Sequence, residues 1–171
     1  MSEVIVVRPT TEQLRVIEES DHCVVIASPG SGKTLTVSLK IKGILPELPH
    51  FRGVIAISFT NKASDELERR CLTEGLDQKS SFFGTIDSFF LSEIIIPFGT
   101  HVFGLPLGGF QETVLLEQIE EAGGAKIPLA VGNYSEIERQ YLPIFKKLYL
   151  EGKVILESFG FLALYILKSS A

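Results

Sequence analysis

The segment VVIASPGSGKT, residues 24–34, constrains the fold of this chain more than any other part of it. Its first three residues are β-branched and favour a strand, whereas the Ser-Pro-Gly-Ser-Gly run after them favours an irregular loop. Beyond Thr34 the apolar side chains recur at helical spacing. The order predicts a strand buried on both faces, HCVVIAS (residues 22–28), then a bare glycine-rich loop, then a helix.

The next two apolar runs extend this pattern into an α/β fold. GVIAISF (residues 53–59) and SFFGTI (residues 81–86) read as strands, and the charged segment between them reads as a helix. Strands that alternate with helices predict a parallel sheet with right-handed crossovers. We therefore expect residues 1–97 to form an α/β core.

From Pro97 onward the pattern changes to a glycine-rich connection followed by helices. Residues 98–171 are therefore expected to form a mainly helical segment, and Pro97 is expected to end the helix before it. The predicted helices are Gln111–Ala122, Ser135–Leu150 and Val154–Lys168.

Composition limits the class of protein. The chain has 171 residues, of which 45% are hydrophobic, and a net charge of −5, which argues against a broad nucleic-acid-binding surface. Residues 33–70 are the exception, with seven basic and four acidic side chains; local scatter and a binding role both stay open. Cys23 and Cys71 lack metal-ligand spacing, and the N-terminus lacks a signal peptide. We expect a cytoplasmic protein without a membrane partner.

The glycine-rich loop fits a phosphate-binding loop, ASPGSGKT, in which Ala27 takes the place of the usual first glycine. Gly30 and Gly32 let backbone N–H groups converge on an anion at the positive end of the following helix. Lys33 can reach the outer phosphates and the Thr34 hydroxyl can hold Mg²⁺, so these two are the candidate catalytic residues. The candidate nucleotide-binding residues of the loop are Ala27, Ser28, Pro29, Gly30, Ser31, Gly32, Lys33 and Thr34.

Three further stretches resemble motifs of one family. In order and spacing they are similar to motifs of superfamily 1 DNA helicases of the UvrD/Rep type. The stretches are TEQLRVIEES before the loop, AISFTNKASDELERR after it, and GTIDSFF further along the chain. The resemblance covers residues 10 to about 90. It implies a RecA-like P-loop NTPase fold with helices on both faces of the sheet, ATP and Mg²⁺ as cofactors, and single-stranded DNA as partner. It also implies 3′-to-5′ translocation coupled to ATP hydrolysis.

The resemblance also implies roles for residues outside the loop. Gln13 would bind the adenine edge, although Thr10 and Gln13 equally fit a helix capping box. Phe59 would stack on a DNA base, with a core phenylalanine as the alternative. Thr60, Asn61 and Lys62 would contact DNA backbone, or would simply begin a helix.

The last motif would place Thr85, Ser88 and Phe89 along the same DNA strand. The alternative makes Asp87 a helix N-cap and Phe89 a core residue. Two positions depart from the family pattern: Asp87 stands where many relatives have histidine, and Leu35 stands where many have an arginine beside the adenine. Base selectivity is then expected to be weaker or differently organised.

The chain contains no apolar strand ending in Asp-Glu, the pair that holds Mg²⁺ and activates water in the family. KVILES comes nearest, but it lacks the aspartate and reads as part of a helix. We therefore expect the N-terminal fragment of a helicase, without its Walker B strand and second RecA-like domain, and with little ATPase activity alone. A non-hydrolysing nucleotide- and DNA-binding module and an unrelated P-loop NTPase are the alternatives.

Overall fold

The computed structural model describes residues 8–72, 75–105, 114–116 and 134–170. The chain divides into two compact units, Met1–Thr85 and Ile86–Ala171, each with its own hydrophobic core.

The first unit is an α/β unit whose two described strands are parallel. Strand β1 pairs with β2 in the register Ile55↔Phe82, and helix α3 connects the two strands, so the predicted parallel crossover is confirmed. Ile41 and Leu45 pack with Ala56, Leu67 and Cys71 to form the core. The elements are α1 (Thr11–Glu18), α2 (Lys33–Ile44), β1 (Ile55–Ser58), α3 (Asn61–Leu72) and β2 (Phe82–Thr85).

The buried strand predicted for residues 22–28 is wrong as a structural assignment. In the described part of the chain no strand pairs with this segment, and Val24 and Ile26 are 90% and 95% exposed. A central strand needs neighbours that bond to its N–H and C=O groups and cover its faces. Without them, the β-branched residues form no regular strand.

The second unit is mainly helical and contains a short parallel strand pair. Its first helix, Ile86–Phe103, is continuous, although its middle turns are π-helical. Its core includes Ile95, Phe145, Tyr149, Leu162 and Ile166. The elements are α4 (Ile86–Phe89), the π-helical Phe90–Ile95, α5 (Ile96–Phe103), β3 (Val114–Leu116), α6 (Tyr134–Leu150), β4 (Lys153–Ile155) and α7 (Phe159–Ser169).

Three sequence-based assignments are corrected in this unit. Pro97 does not end its helix: it comes directly after the π-helical turns Phe90–Ile95, whose altered hydrogen-bond pattern accommodates a residue without an N–H, and the helix continues as α5. The helix predicted over Gln111–Ala122 is wrong at Val114–Leu116, which pair as β3 with β4, and its other residues lie outside the described part. The helix predicted from Val154 begins at Phe159 instead, because the preceding residues form β4. Short apolar runs fit strand and helix equally well.

Helix Ile86–Phe103 is long and apolar enough to cross a membrane by length and composition. Core helices of soluble proteins meet the same two criteria. This helix contributes Ile94, Ile95 and Phe103 to the core of the second unit.

Gly99 provides a test of packing in this unit. A Cβ atom at Gly99 would lie 2.6 Å from the Tyr149 hydroxyl oxygen and 2.7 Å from its ring. Tyr149 is fully buried, its hydroxyl donates to the Ile95 carbonyl at 3.4 Å, and burial raises its pKa to about 12. Gly99→Ala is therefore expected to lower the free energy of unfolding by about 1–3 kcal/mol, measured by urea denaturation.

The matched control is Gly160→Ala in α7, where an added Cβ meets no atom within 4 Å. We expect that change to be neutral or to stabilise by up to about 1 kcal/mol. Equal unfolding free energies for the two variants would contradict the proposed contact between Gly99 and Tyr149.

Candidate functional site

The loop before α2 has the backbone conformation of an anion-binding turn. Gly30 and Gly32 have φ angles of +79° and +81°, a left-handed region that other residues avoid. Gly32 is the N-cap of α2, and no side chain caps that helix end. Backbone N–H groups at an uncapped N-terminus, with the positive end of the helix dipole, favour an anion.

Lys33 ties this loop together from the first position of α2. Its Nζ donates to the carbonyl oxygens of Ala27 at 3.0 Å and Ser28 at 2.8 Å. An ammonium group has three donors, so a third N–H stays available for a phosphate oxygen. Thr34 follows as an exposed residue, and a Cβ at Gly30 would meet no atom within 4 Å, so the loop leaves room for a phosphate group.

A cleft of about 460 Å³ lies beside the loop within the first unit. Helix α1 forms one wall, and the segment before the loop together with the first turns of α2 forms the other. The volume is in the usual range of ligand pockets. The residues that line the cleft are Thr10, Glu12, Gln13, Val16, Val25, Ile26, Ala27, Ser31, Lys33, Thr36 and Val37.

Gln13 connects the α1 wall to the loop. Its Oε1 accepts from the Thr10 N–H at 2.9 Å, and the Thr10 hydroxyl accepts from the Gln13 N–H at 3.3 Å, so the capping-box interpretation is confirmed. Its Nε2 also donates to the Ser31 carbonyl at 3.0 Å. An amide has two donors and two lone pairs, so one of each stays available for the adenine edge. Adenine binding by Gln13 stays a prediction.

The two roles of Gln13 are separated by Gln13→Glu. Glutamate keeps the acceptor that completes the capping box but loses the N–H that reaches Ser31. We expect Mg²⁺-ATP to bind about 2- to 12-fold more weakly, the equivalent of one neutral hydrogen bond, with unchanged helix content. Calorimetric titration measures the affinity. Gln140→Glu on the exposed surface of α6 introduces the same charge and should leave the affinity unchanged.

In the described part of the first unit, the ionisable groups do not form a preassembled metal centre. A hydrogen bond from its own backbone N–H and another with Thr10 lower the pKa of the Glu12 carboxyl, so this wall of the cleft is negatively charged. Among the residues that the structure describes, no three His, Cys, Asp or Glu side chains are grouped to hold a metal ion. The assignment of Mg²⁺ to Thr34 stays a prediction.

Phe59 follows β1 and is 99% exposed, so the alternative of a core phenylalanine is wrong. Hydroxyl groups support the turn around it: Ser58 Oγ donates to the Thr60 carbonyl at 2.7 Å and lies 2.6 Å from Ser64 Oγ. The Thr60 hydroxyl accepts from the Ala63 N–H at 3.3 Å, which confirms that these residues begin a helix. An exposed aromatic ring on a fixed turn is suited to stacking on a planar base.

Asn61 and Lys62 follow in the first turn of α3, and both are exposed. Thr85, at the end of β2, is half-buried. The structure therefore leaves the Asn61 and Lys62 side chains accessible to a phosphate backbone.

Ser88 and Phe89 belong to the second unit. Ser88 is exposed, whereas Phe89 is half-buried, packs against the core and has its ring centroid 6.3 Å from that of Phe90. This packing favours the alternative of a structural Phe89. Asp87 is not an N-cap, because α4 begins at Ile86 and places Asp87 inside its first turn.

Several cations of the basic segment 33–70 have partners within the protein. Arg69 and Arg70 both pair with Glu66, whose carboxyl pKa is lowered mainly by Arg70 and then by Arg69. Lys40 donates to carbonyl groups at the end of α1. The segment is therefore not a continuous basic surface, and Lys62 beside Phe59 is the better candidate for a phosphate contact.

Sequence reasoning missed Lys40 and the serine pair, Ser58 and Ser64. Lys40 follows Lys33 by seven residues and so lies on the same helix face, which could have signalled a shared role. Nothing in the local pattern of the serines indicates their hydroxyl contact.

Comparison with known proteins agrees with the motifs. The sequence profile described as the UvrD/REP helicase N-terminal domain matches residues 9–107. Over 90 residues the chain is 39% identical to the Gabija protein GajB of Bacillus cereus (strain VD045). That alignment covers 53% of this chain and 18% of GajB, so the chain spans only a small part of this relative. The profile covers more than half of the chain, and the chain therefore belongs to the UvrD/REP helicase family.

Proposed function

We propose that this chain is the ATP-binding and single-stranded-DNA-binding part of an ATP-dependent DNA helicase or translocase. The observation that carries the proposal is the combination, within the first unit, of a lysine-tied anion loop beside a cleft and an exposed aromatic ring at the end of β1. Movement in the 3′-to-5′ direction is the expectation from the family.

The nucleotide would lie in the cleft with its phosphates at the loop. The open space at Gly30, the left-handed glycines and the third donor of Lys33 fit a triphosphate, and the Thr34 hydroxyl would hold Mg²⁺. Gln13 would hold the base against the α1 wall. When bound, Mg²⁺-ATP supplies the phosphoanhydride bond whose hydrolysis drives movement in helicases.

Single-stranded DNA would bind where β1 and β2 end. Phe59 would stack on a base without selecting its identity, and Lys62 would neutralise a phosphate. Thr60, Asn61 and Thr85 would donate to the DNA backbone there, and for Ser88 of the second unit a backbone contact is proposed from the family resemblance alone. Phe89, which packs against the core of its unit, would contribute mainly by holding Ser88 in place.

We infer that further strands of the full protein complete the sheet. Val24, Ile26, Ile55 and Ile57 are apolar and exposed, and the segment before the loop has no strand partner in the described residues. Such surface is normally covered by neighbouring strands. A strand ending in Asp-Glu and a second RecA-like domain, which hydrolysis requires in this family, are the expected partners.

A module that binds nucleotide and DNA without hydrolysis is the second candidate function. The strand β4 in KVILES corrects the reading of that segment as helix, but the sequence after it is Leu-Glu-Ser and has no aspartate. An Asp-Glu pair is therefore still missing from the chain. Rapid ATP turnover by this chain alone would exclude the second candidate and the fragment proposal together.

The proposal is tested by titrating the chain separately with Mg²⁺-ATP and with oligo-dT over a series of salt concentrations. We expect both to bind, and we expect DNA binding to weaken as salt rises because phosphate contacts release counterions. If the chain bound ATP but did not bind oligo-dT at any salt concentration, the DNA half of the proposal would be contradicted. Binding of neither ligand would contradict all of it.

A further inference from the structure

Helix α1 forms a wall of the cleft but is not anchored by the hydrophobic core. None of its residues is buried, and Leu14 on its apolar side is 40% exposed. Apolar burial normally holds a short helix in place. The position of α1 relative to the loop must therefore depend largely on polar contacts.

The first of these contacts is at the beginning of α1. Gln13 Nε2 donates to the Ser31 carbonyl, and a Cβ atom at Gly32 would lie 2.7 Å from that same nitrogen. A side chain at this position would displace the Gln13 amide from Ser31, and the φ of +81° also favours glycine there. This contact ties the beginning of α1 to the phosphate loop.

The second contact is at the end of α1 and comes from α2. Lys40 Nζ donates to the carbonyl oxygens of Val16 at 2.8 Å and Ile17 at 3.4 Å, and to that of Glu19. Carbonyl groups in the last turn of a helix lack partners within the helix and carry its negative partial charge. The Lys40 ammonium group therefore supplies hydrogen-bond donors to carbonyl groups at the end of α1. Lys40 lies on the same face of α2 as Lys33.

We propose that Lys40 is a positioning residue for nucleotide binding, which fixes the base-side wall of the cleft relative to the phosphate loop. The inference rests on the proposed binding of ATP. Lys40 does not line the cleft and acts through α1, which supplies Thr10, Glu12, Gln13 and Val16 to it. Loss of the Lys40 contacts would displace the wall and leave the loop, which is tied by Lys33, intact.

This mechanism predicts a selective effect on ligands that carry a base. Lys40→Met keeps the length of the apolar stem and removes the donors. We expect Mg²⁺-ATP to bind about tenfold more weakly and Mg²⁺-tripolyphosphate, which has no base, to bind within about twofold of the unchanged chain. Lys40→Arg keeps a charged donor and should restore most of the ATP affinity. Lys42→Met, on the same helix but outside the cleft, is the matched control.

Amide hydrogen exchange of the ligand-free chain gives a second measurement. Without the Lys40 contacts the amides of α1 should exchange about tenfold faster, while those of α3 stay unchanged. Lys40→Ala removes the same donors and is measured as well, so the test stays valid if Lys40→Met does not fold, whereas Lys40→Arg should exchange like the unchanged chain. Unchanged exchange in α1 of Lys40→Met or Lys40→Ala would overturn the inference.

The two proposals can fail separately. If the unchanged chain binds neither ATP nor tripolyphosphate, the proposed function fails, and exchange still decides whether Lys40 fixes α1. If the unchanged chain binds ATP and Lys40→Met binds it equally well, the inference alone fails. If Lys40→Met lost affinity for ATP and for tripolyphosphate by the same factor, the inference would also be overturned, because the defect would then lie in the phosphate loop.

Discussion

Replacing Lys33 with alanine is expected to weaken the binding of Mg²⁺-ATP by about 10- to 140-fold, the range that corresponds to about 1.5–3 kcal/mol for a charged hydrogen bond. The ammonium group is the only cation in the set of residues that line the cleft. Its removal would take away the proposed phosphate partner and also the two contacts to the Ala27 and Ser28 carbonyl groups. Both effects act in the same direction, against nucleotide binding.

The measurement for Lys33→Ala is a calorimetric titration with Mg²⁺-ATP and, in parallel, a fluorescence titration with oligo-dT. DNA affinity should change less than about twofold, because Lys33 is not among the residues proposed to contact DNA. Lys42→Ala removes a charge from the same helix without touching the cleft and should preserve ATP binding. An ATP affinity that survives Lys33→Ala would contradict the assignment of the loop as the phosphate site.

The strand order of the first unit was predictable because both of its paired strands lie within the chain. β1 and β2 each carry an apolar run, and the charged helix between them is the right length for a parallel crossover. Residues 22–28 have an equally apolar pattern, yet they remain unpaired in the described structure. The apolar pattern indicates that a segment is able to form a strand, whereas its pairing depends on which other strands are available.

The residues of the candidate site were predictable where they are close together in the sequence. Gly30, Gly32 and Lys33 lie within four consecutive residues, so the local pattern is enough to predict the anion loop. The contacts between Lys40 and α1 join residues 21 to 24 positions apart, and no local pattern encodes them. The choice between exposure and burial for Phe59 and Phe89 was also open in sequence, because Phe59 ends one apolar run and Phe89 begins another. Packing in the folded units decided both.

Phe59→Ala is expected to weaken oligo-dT binding by about 5- to 140-fold, since stacking of one base on an aromatic ring is worth about 1–3 kcal/mol. The ring is almost completely exposed, so its removal leaves no cavity and should not change the stability of the fold. Affinity for Mg²⁺-ATP should be unchanged. A fluorescence titration with oligo-dT at several salt concentrations provides the measurement.

The salt series distinguishes stacking from an electrostatic contribution. Phe59 carries no charge, so its loss should lower the affinity by the same factor at every salt concentration and leave the slope of log K against log[salt] unaltered. The matched control is Phe51→Ala, which removes another exposed aromatic ring (78% exposed) from the same unit; Phe51 precedes β1, whereas Phe59 follows it. If Phe51→Ala weakened DNA binding as much as Phe59→Ala does, the effect would come from general surface hydrophobicity. Selective loss with Phe59→Ala would instead place a DNA base against the end of β1.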